Sequence, residues 1–259
     1  MRLLDLLKLP ETKEIHDPNS SLTSDIHRNI ILKKPFLKKL YLDFYKEFKK
    51  TITNLPKGKL VEIGSGGGFL KDVIPEVITT DVLNGKDIDI VLPKGKLPFE
   101  NNSVSAFFLM DVLHHIKDPV IFFTETSRCL AKGGKIVMIE PHNSLWGRFI
   151  YKNFHHEPYN ENARWEIMGN GRLTNANIAL PWIIFFRDRK RFENSFPSLK
   201  IKRLTPHTPF RYLLSGGLSM RQFLPSFTYN LVKVVETLLS PLNRYLGMFL
   251  TIELEKISK

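Results

Sequence analysis

The sequence predicts an α/β fold, a doubly wound sheet of seven strands with a helical N-terminal arm and C-terminal insertions. Three observations carry that prediction. Short apolar runs at residues 60–63, 77–80, 88–92, 104–110 and 135–140 alternate with stretches of helical periodicity. A glycine-rich turn, Gly64-Ser65-Gly66-Gly67-Gly68, follows the first run at once, and residues 69–74 read as the opening of a helix. Acidic residues then stand at run ends: Asp81, Asp111 and Glu140. In a parallel sheet those ends form the ligand crevice.

The elements follow in order. Residues 1–30 are polar and broken by Pro10 and Pro18, which predicts an irregular arm. Pro35 opens a helix to about residue 50. Leu37, Leu40, Tyr41, Phe44, Tyr45 and Phe48 form one apolar stripe with lysines around it. Either it packs on the edge of the domain or it forms a lid beside a ligand. Asp118 and Pro119 read as the N-cap and first position of a helix to about residue 130, closed by Gly133 and Gly134. Residues 181–192 predict a further helix. Residues 199–204 and 247–257 predict the sixth and seventh strands, whose connection exceeds 40 residues and must hold helices. The chain divides into an arm and lid helix (1–54), a ligand-binding core (55–141) and substrate-side insertions that complete the sheet (142–259).

Glycine in the first turn permits positive φ and lets a ligand approach the backbone. The spacing is Gly-x-Gly-x-Gly. A dinucleotide fingerprint needs its third glycine where this chain has Phe69, which argues against NAD or FAD. No Gly-Lys-Ser/Thr follows, so the turn is not a phosphate loop. Asp81 lies 17 residues after Gly64, where a carboxylate can accept both hydroxyls of a ribose. Glu62 lies inside the first strand, where a carboxylate is costly to bury without a partner; a cationic ligand group would be one.

With Leu97-Pro98-Phe99, Asp111-Val112-Leu113-His114-His115-Ile116 and Leu130-Ala131-Lys132-Gly133-Gly134-Lys135, these motifs resemble the class I S-adenosylmethionine-dependent methyltransferases. The resemblance covers roughly residues 55–141 and a plausible end of the fold at the C-terminus. It implies a Rossmann-like sheet, S-adenosylmethionine as cofactor, and a final antiparallel strand pair at the sheet edge. The cofactor would lie against Glu62, Gly64, Ser65, Gly66, Gly68, Asp81, Val82, Leu92, Lys94 and Asp111. The family commonly carries an Asp for the adenine amino group four residues before Leu97; this chain has Pro93 there. Backbone at Leu92 and Lys94, or apolar contact, would take its place.

Methyl transfer needs an acceptor held in line and, for an acceptor of high pKa, a proton acceptor. His115, Glu140, His142, His155, His156 and Glu157 follow the fourth and fifth strands and are the candidates. For any single histidine a structural hydrogen bond competes with catalysis. No His-x-x-x-His pair or cysteine cluster is present, and no metal is expected.

The chain has 259 residues, 42% of them apolar and 25% charged, as in a soluble globular protein. Its single cysteine, Cys129, excludes an intrachain disulfide and fits a reducing compartment. No signal peptide or membrane span is read, so the expected location is cytoplasmic. The net charge of +12 is uneven: residues 61–140 carry 8 Lys/Arg against 11 Asp/Glu, and residues 141–259 carry 17 against 8. The basic flanks suit a solvated surface or an anionic partner. Between Gln222 and Asn243 only Lys233 and Glu236 are charged, and Leu231, Val234, Val235, Leu238 and Leu239 share a helical face. That face is either core or a surface for a membrane or lipid tail. The reading is a methyltransferase acting at oxygen or carbon of a small-molecule or lipid-linked acceptor, with peripheral contact at the inner membrane surface. The alternatives are an RNA methyltransferase, though no RNA-binding module is recognisable, and a cofactor-binding protein without turnover.

Overall fold

The computed structural model describes residues 7–11, 20–93, 95–167 and 175–257. Seven strands form one sheet: β1 (Lys59–Ile63), β2 (Ile78–Asp81), β3 (Ile90–Val91), β4 (Val104–Met110), β5 (Leu130–Pro141), β6 (Leu199–His207) and β7 (Phe249–Lys256). Their spatial order is β3-β2-β1-β4-β5-β7-β6. The first five run parallel, and β7 lies antiparallel between β5 and β6. The order reverses between β1 and β4, so the crevice above their C-terminal ends is where this topology binds ligands. The observed sheet is the predicted doubly wound, seven-stranded one.

Side-chain alternation along the central strands supplies two cores. Phe107, Ile136 and Met138 face one side, against Phe123, Trp165, Phe185 and Phe192. Phe108, Val137 and Ile139 face the other, against Phe36, Leu40, Phe44, Phe48 and Phe249. The helix α1 (Ser21–Lys33) and the helix α2 (Pro35–Thr51) cover this second face. The helix α3 (Pro119–Cys129) lies on the first, capped by Asp118 Oδ1, which accepts from the amides of Val120 and Ile121 at 2.9 and 3.0 Å. Cys129 is buried in that core.

Three expectations change. The arm over residues 1–30 is not wholly irregular, because α1 begins at Ser21; Ile26, Ile30 and Ile31 bury one face of it. That face was diluted in the sequence by polar neighbours. The helix after the glycine turn is only a 3-10 turn, Leu70–Asp72. The helix expected over 181–192 is broken. A π-helical turn, Ile183–Arg187, closes through Asp188 N to Ile183 O at 2.8 Å, and the helix α5 (Arg189–Ser195) restarts after it. Asp188 there accepts from Trp165 Nε1 at 2.9 Å. The helix α4 (Leu145–Phe154) precedes this region, directly after β5.

The long β6–β7 connection carries the helix α6 (Tyr229–Leu238). A buried polar cluster ties it to α2. Arg211 Nη1 meets Asp43 Oδ2 at 2.8 Å and Tyr229 Oη at 2.7 Å, and Arg211 Nε meets Glu236 Oε2. Glu236 also accepts the amides of Phe210 and Arg211. Lys34, between α1 and α2, donates to the carbonyls of Gly217 and Met220 at 2.6 and 2.8 Å.

Arg211→Ala therefore leaves Glu236 buried without its cation and should cost about 3–5 kcal/mol in urea denaturation. The double variant Arg211→Met/Glu236→Leu should recover most of that loss; equal losses in both would show that the pair is not coupled.

Candidate functional site

The glycine turn is shaped by close approaches. Gly64 has φ +71°, and a Cβ there would lie 2.7 Å from Val112. Gly66 has φ +50°, and its amide donates to Asp81 Oδ2 at 3.0 Å. Gly68 leaves no room for a Cβ beside Tyr45 Oη, which accepts from Phe69 N at 3.1 Å. α2, read in the sequence as either an edge helix or a lid, is thus in direct contact with the turn. α1 closes it from above: a Cβ on Gly67 would lie 2.7 Å from Arg28 N and Ser24 O.

Under this turn Glu62 is buried. Its Oε2 and the neighbouring Ser65 Oγ have no hydrogen-bond partner among the described residues. Burial pushes the Glu62 carboxyl up to about 7; the Ser65 hydroxyl, near it but outside hydrogen-bond geometry, lowers it only in part, Asp81 raises it further and Arg28 lowers it. Arg28 Nη1 donates to Gly68 O, and Arg28 Nε stands 3.4 Å from Asp87. Arg28, Glu62, Ser65, Gly66 and Gly68 line one narrow groove. Gly66 and Asp81 line its continuation, with Arg28 again on the wall. Sequence reasoning missed Arg28 because it belongs to the arm read as irregular. Asp81 Oδ1 accepts from Leu83 N, and Val82 is exposed beside it. The Leu92 amide is not available to a base, because it donates to Asp81 O at 2.7 Å. Lys94 lies outside the described residues. An unpartnered carboxylate, a hydroxyl and backbone free of Cβ atoms suit a ligand carrying an ammonium group.

A second charged cluster lies past β4 and β5. Asp111 ends β4 at φ +53°, which costs a non-glycine residue on the order of 1 kcal/mol or more. Burial pushes its carboxyl up to about 7; His114 lowers it, and Glu140 and Glu157 raise it. Glu140 is fully buried at the end of β5. Its Oε1 accepts from Val112 N and Leu113 N at 2.9 and 2.7 Å, and its Oε2 meets His114 Nδ1 at 2.7 Å. His114 Nε2 stands 3.4 Å from Glu157 Oε2, and His115 Nε2 stands 3.4 Å from Glu157 Oε1. Burial alone would lower His114, but Glu140 and Glu157 outweigh it and hold the imidazolium to about 10. Burial opposes ionisation of Glu157 as well, yet the hydrogen bond and charge of His114, with His115 and His155, bring it down to about 2. Burial leaves His142 and His155 neutral, each down to about 4.

The expected acceptor residues thus separate. His115 and His155 gather with Glu157, which lies within electrostatic reach of Asp111, whereas His142 packs against Phe186. Glu140 does not face a ligand, since His114 and two amides occupy it. His156 lies on the solvent side of the cluster: its side chain is 78% exposed, with Nε2 3.9 Å from Glu157 Oε1. Asp111 belongs to this cluster rather than to the glycine turn. Tyr41, read in the sequence only as part of the apolar stripe on α2, and Tyr151 and Tyr212, unread there, lie within electrostatic reach of Asp111, each with its hydroxyl raised chiefly by burial. They come from three distant segments, so no local spacing joins them. His114, His115 and Glu157 offer donor atoms within 4.8 Å of one another, a set suited to a transition metal that the sequence did not suggest. The His114 imidazolium already balances charge in this cluster.

Residues 61–138 match the family described as a methyltransferase domain. An uncharacterized protein of Methanocaldococcus jannaschii is 30% identical over 95 residues, 33% of this chain; the match spans 45% of that relative's length. Among solved structures, a geranyl diphosphate C-methyltransferase from Streptomyces coelicolor is 14% identical, with 97% of this chain and 88% of that one covered and a TM-score of 0.48. A phosphoethanolamine N-methyltransferase from Haemonchus contortus, bound to S-adenosyl-L-methionine, is 14% identical, covering 96% and 60%, with a TM-score of 0.49. A possible histamine N-methyltransferase from Thermotoga maritima is 16% identical, covering 83% and 89%, also with a TM-score of 0.49. The acceptors of these proteins differ from one another.

The His114 network predicts a pH-dependent stability. The folded imidazolium is held to about 10 against an unfolded value near 6.5, so its contribution is fully present below pH ~6.5 and is lost as pH rises through about 10. His114→Ala should cost about 3–5 kcal/mol at pH 6, and the gap from the parent should narrow as pH rises. Urea midpoints measured from pH 6 to 10 check this; a constant gap would contradict it.

Proposed function

We infer that this chain, whose residues 61–138 form a class I S-adenosylmethionine-dependent methyltransferase domain, methylates an oxygen of a small-molecule or lipid-linked acceptor. The observation that carries the choice of oxygen is Asp111. It is a strained carboxylate at the end of β4, raised to about 7 and within electrostatic reach of three tyrosines and the His114–Glu157 pair. A hydroxyl acceptor must lose a proton as it is alkylated, and a base with a pKa near the working pH is the most effective.

The cofactor, when bound, supplies an electrophilic methyl group on a sulfonium. Glu62 receives its ammonium group and Arg28 faces its carboxylate. Asp81, oriented by the Gly66 and Leu83 amides, would accept the ribose hydroxyls. The groove is narrow, so entry requires α1 to move off the glycine turn. On the acceptor side, Asp111 takes the hydroxyl proton. Glu140 accepts from Nδ1 of the His114 imidazolium and fixes the ring, and His114 holds Glu157 ionised. Glu157 in turn orients His115.

Asp111→Asn should bind S-adenosylmethionine within about twofold of the parent while turnover falls by at least about 100-fold. Methyl transfer from labelled cofactor, assayed against lipid extract, RNA and buffer alone, provides the readout. At saturating cofactor the parent's kcat should rise with pH through about 7 and then level, because Asp111 must be ionised. Transfer to RNA rather than lipid extract, or an Asn variant with full turnover, would overturn this reading. Binding without transfer to any acceptor would favour a role without turnover.

A further inference from the structure

We propose that the outer face of α6 and the turns around it dock on an anionic phospholipid bilayer. The inference is independent of the acceptor chemistry. Expectation and structure divide here in an informative way. The stripe on α2 is unavailable, because Phe36 and Leu37 are fully buried. The stripe on α6 is not: Leu231 is 67% exposed, Leu238 75%, and Val234 and Val235 are exposed beside them. Phe227, in the turn before α6, is 84% exposed, and Leu242 and Tyr245 extend the surface past its end. So continuous an apolar ridge on a folded chain marks a contact surface.

Loose packing does not account for it. Arg211, Tyr229 and Asp43 clamp the opposite side of α6 to α2, and Glu236 is buried in that clamp. The helix is held firmly with its apolar side outward.

Charge selects the occupant. Between Gly216 and Phe249 the charged residues are Arg221, Lys233, Glu236 and Arg244. Lys233 Nζ is paired with Asp43 Oδ2 at 2.7 Å, Arg221 and Arg244 are exposed, and the one acid is buried. Lys39 on α2 adds a further cation, reaching Ser226 O at 3.3 Å. A face that is apolar and cationic, with its carboxylate turned inward, complements anionic headgroups over an acyl layer. It does not complement itself, since a two-fold contact would bring cations together with no exposed acid in this segment to pair them.

The surface continues toward the acceptor region. The short helix Asn243–Leu246 packs on α4, where Leu145, Phe149 and Phe154 are exposed. Phe154 directly precedes His155. A bilayer on this face therefore lies beside the segment that carries His155 and Glu157. No helix among the described residues is long and apolar enough to cross a membrane, so the contact is peripheral.

Cosedimentation of the full chain with phosphatidylcholine vesicles, with and without phosphatidylglycerol, tests this at low and high salt. The parent should bind the anionic vesicles, and salt should weaken binding without abolishing it, because the apolar part is not screened. Leu231→Asp/Leu238→Asp should lower partitioning by at least about tenfold. Arg221→Ala/Arg244→Ala should weaken binding to anionic vesicles and reduce its salt dependence. All four side chains are exposed, so circular dichroism and S-adenosylmethionine binding should match the parent. The proposal is overturned if the parent ignores anionic vesicles, or if salt removes binding entirely. It is also overturned if the parent is a dimer that the Leu variant dissociates and neither sediments with vesicles.

Discussion

Glu62 is the constraint on which the site depends. It sits in β1, the strand paired on both sides where the sheet order reverses, and it is closed over by α1 and α2. A carboxylate in that position is unfavourable unless something supplies charge or hydrogen bonds. The chain supplies little. Oε2 has no hydrogen-bond partner among the described residues, and Arg28 stands near enough to lower the pKa without restoring it. The folded carboxyl keeps its proton up to about 7, whereas an unfolded one releases it near 4.5. Raising the pH between these values therefore destabilises the unliganded protein. A ligand ammonium is the group that reverses the sign.

The acceptor side follows the opposite principle. There the charges are paired: Glu140 with His114, and His114 with Glu157, whose Oε1 also stands 3.4 Å from His115 Nε2. Such a network fixes positions rather than waiting for a ligand. Asp111 is the member left poised, since burial and its carboxylate neighbours outweigh the attraction of His114. The same contrast holds at the surface. Arg211, Asp43 and Glu236 satisfy one another on the inner side of α6, and the apolar outer side is left without a partner among the described residues.

Much of this was legible in the sequence wherever local spacing carried the information. The apolar runs gave the seven strands, the glycine spacing excluded a dinucleotide turn, and Asp118 with Pro119 located a helix start that Asp118 Oδ1 does cap. Glu62 was suspect from its neighbours alone, since Val61 and Ile63 flank it in a buried strand. What the sequence hid depends on tertiary contact. Arg28 reaches the glycine turn only because α1 folds onto it, and prolines earlier in the arm masked that helix. Glu140 and His142 stand close together at the end of β5, yet two amides and His114 occupy the first, and Nδ1 of the second has no hydrogen-bond partner among the described residues. His155 and His156 look equivalent in the sequence; the turn after α4 sends one inward and the other to solvent. The two helical stripes, on α2 and α6, have the same period, and only packing shows that one is core and the other surface.

The most direct test of the central claim is calorimetric binding of S-adenosylmethionine to the parent and to Glu62→Gln at pH 5.5 and pH 7. If the ionised Glu62 carboxylate receives the ligand ammonium, the parent's affinity should rise about tenfold over that interval, with proton release on binding at the lower pH. The Gln variant should bind weakly at both. Equal parent affinity at the two pH values, or a Gln variant that binds as the parent does, would contradict the account.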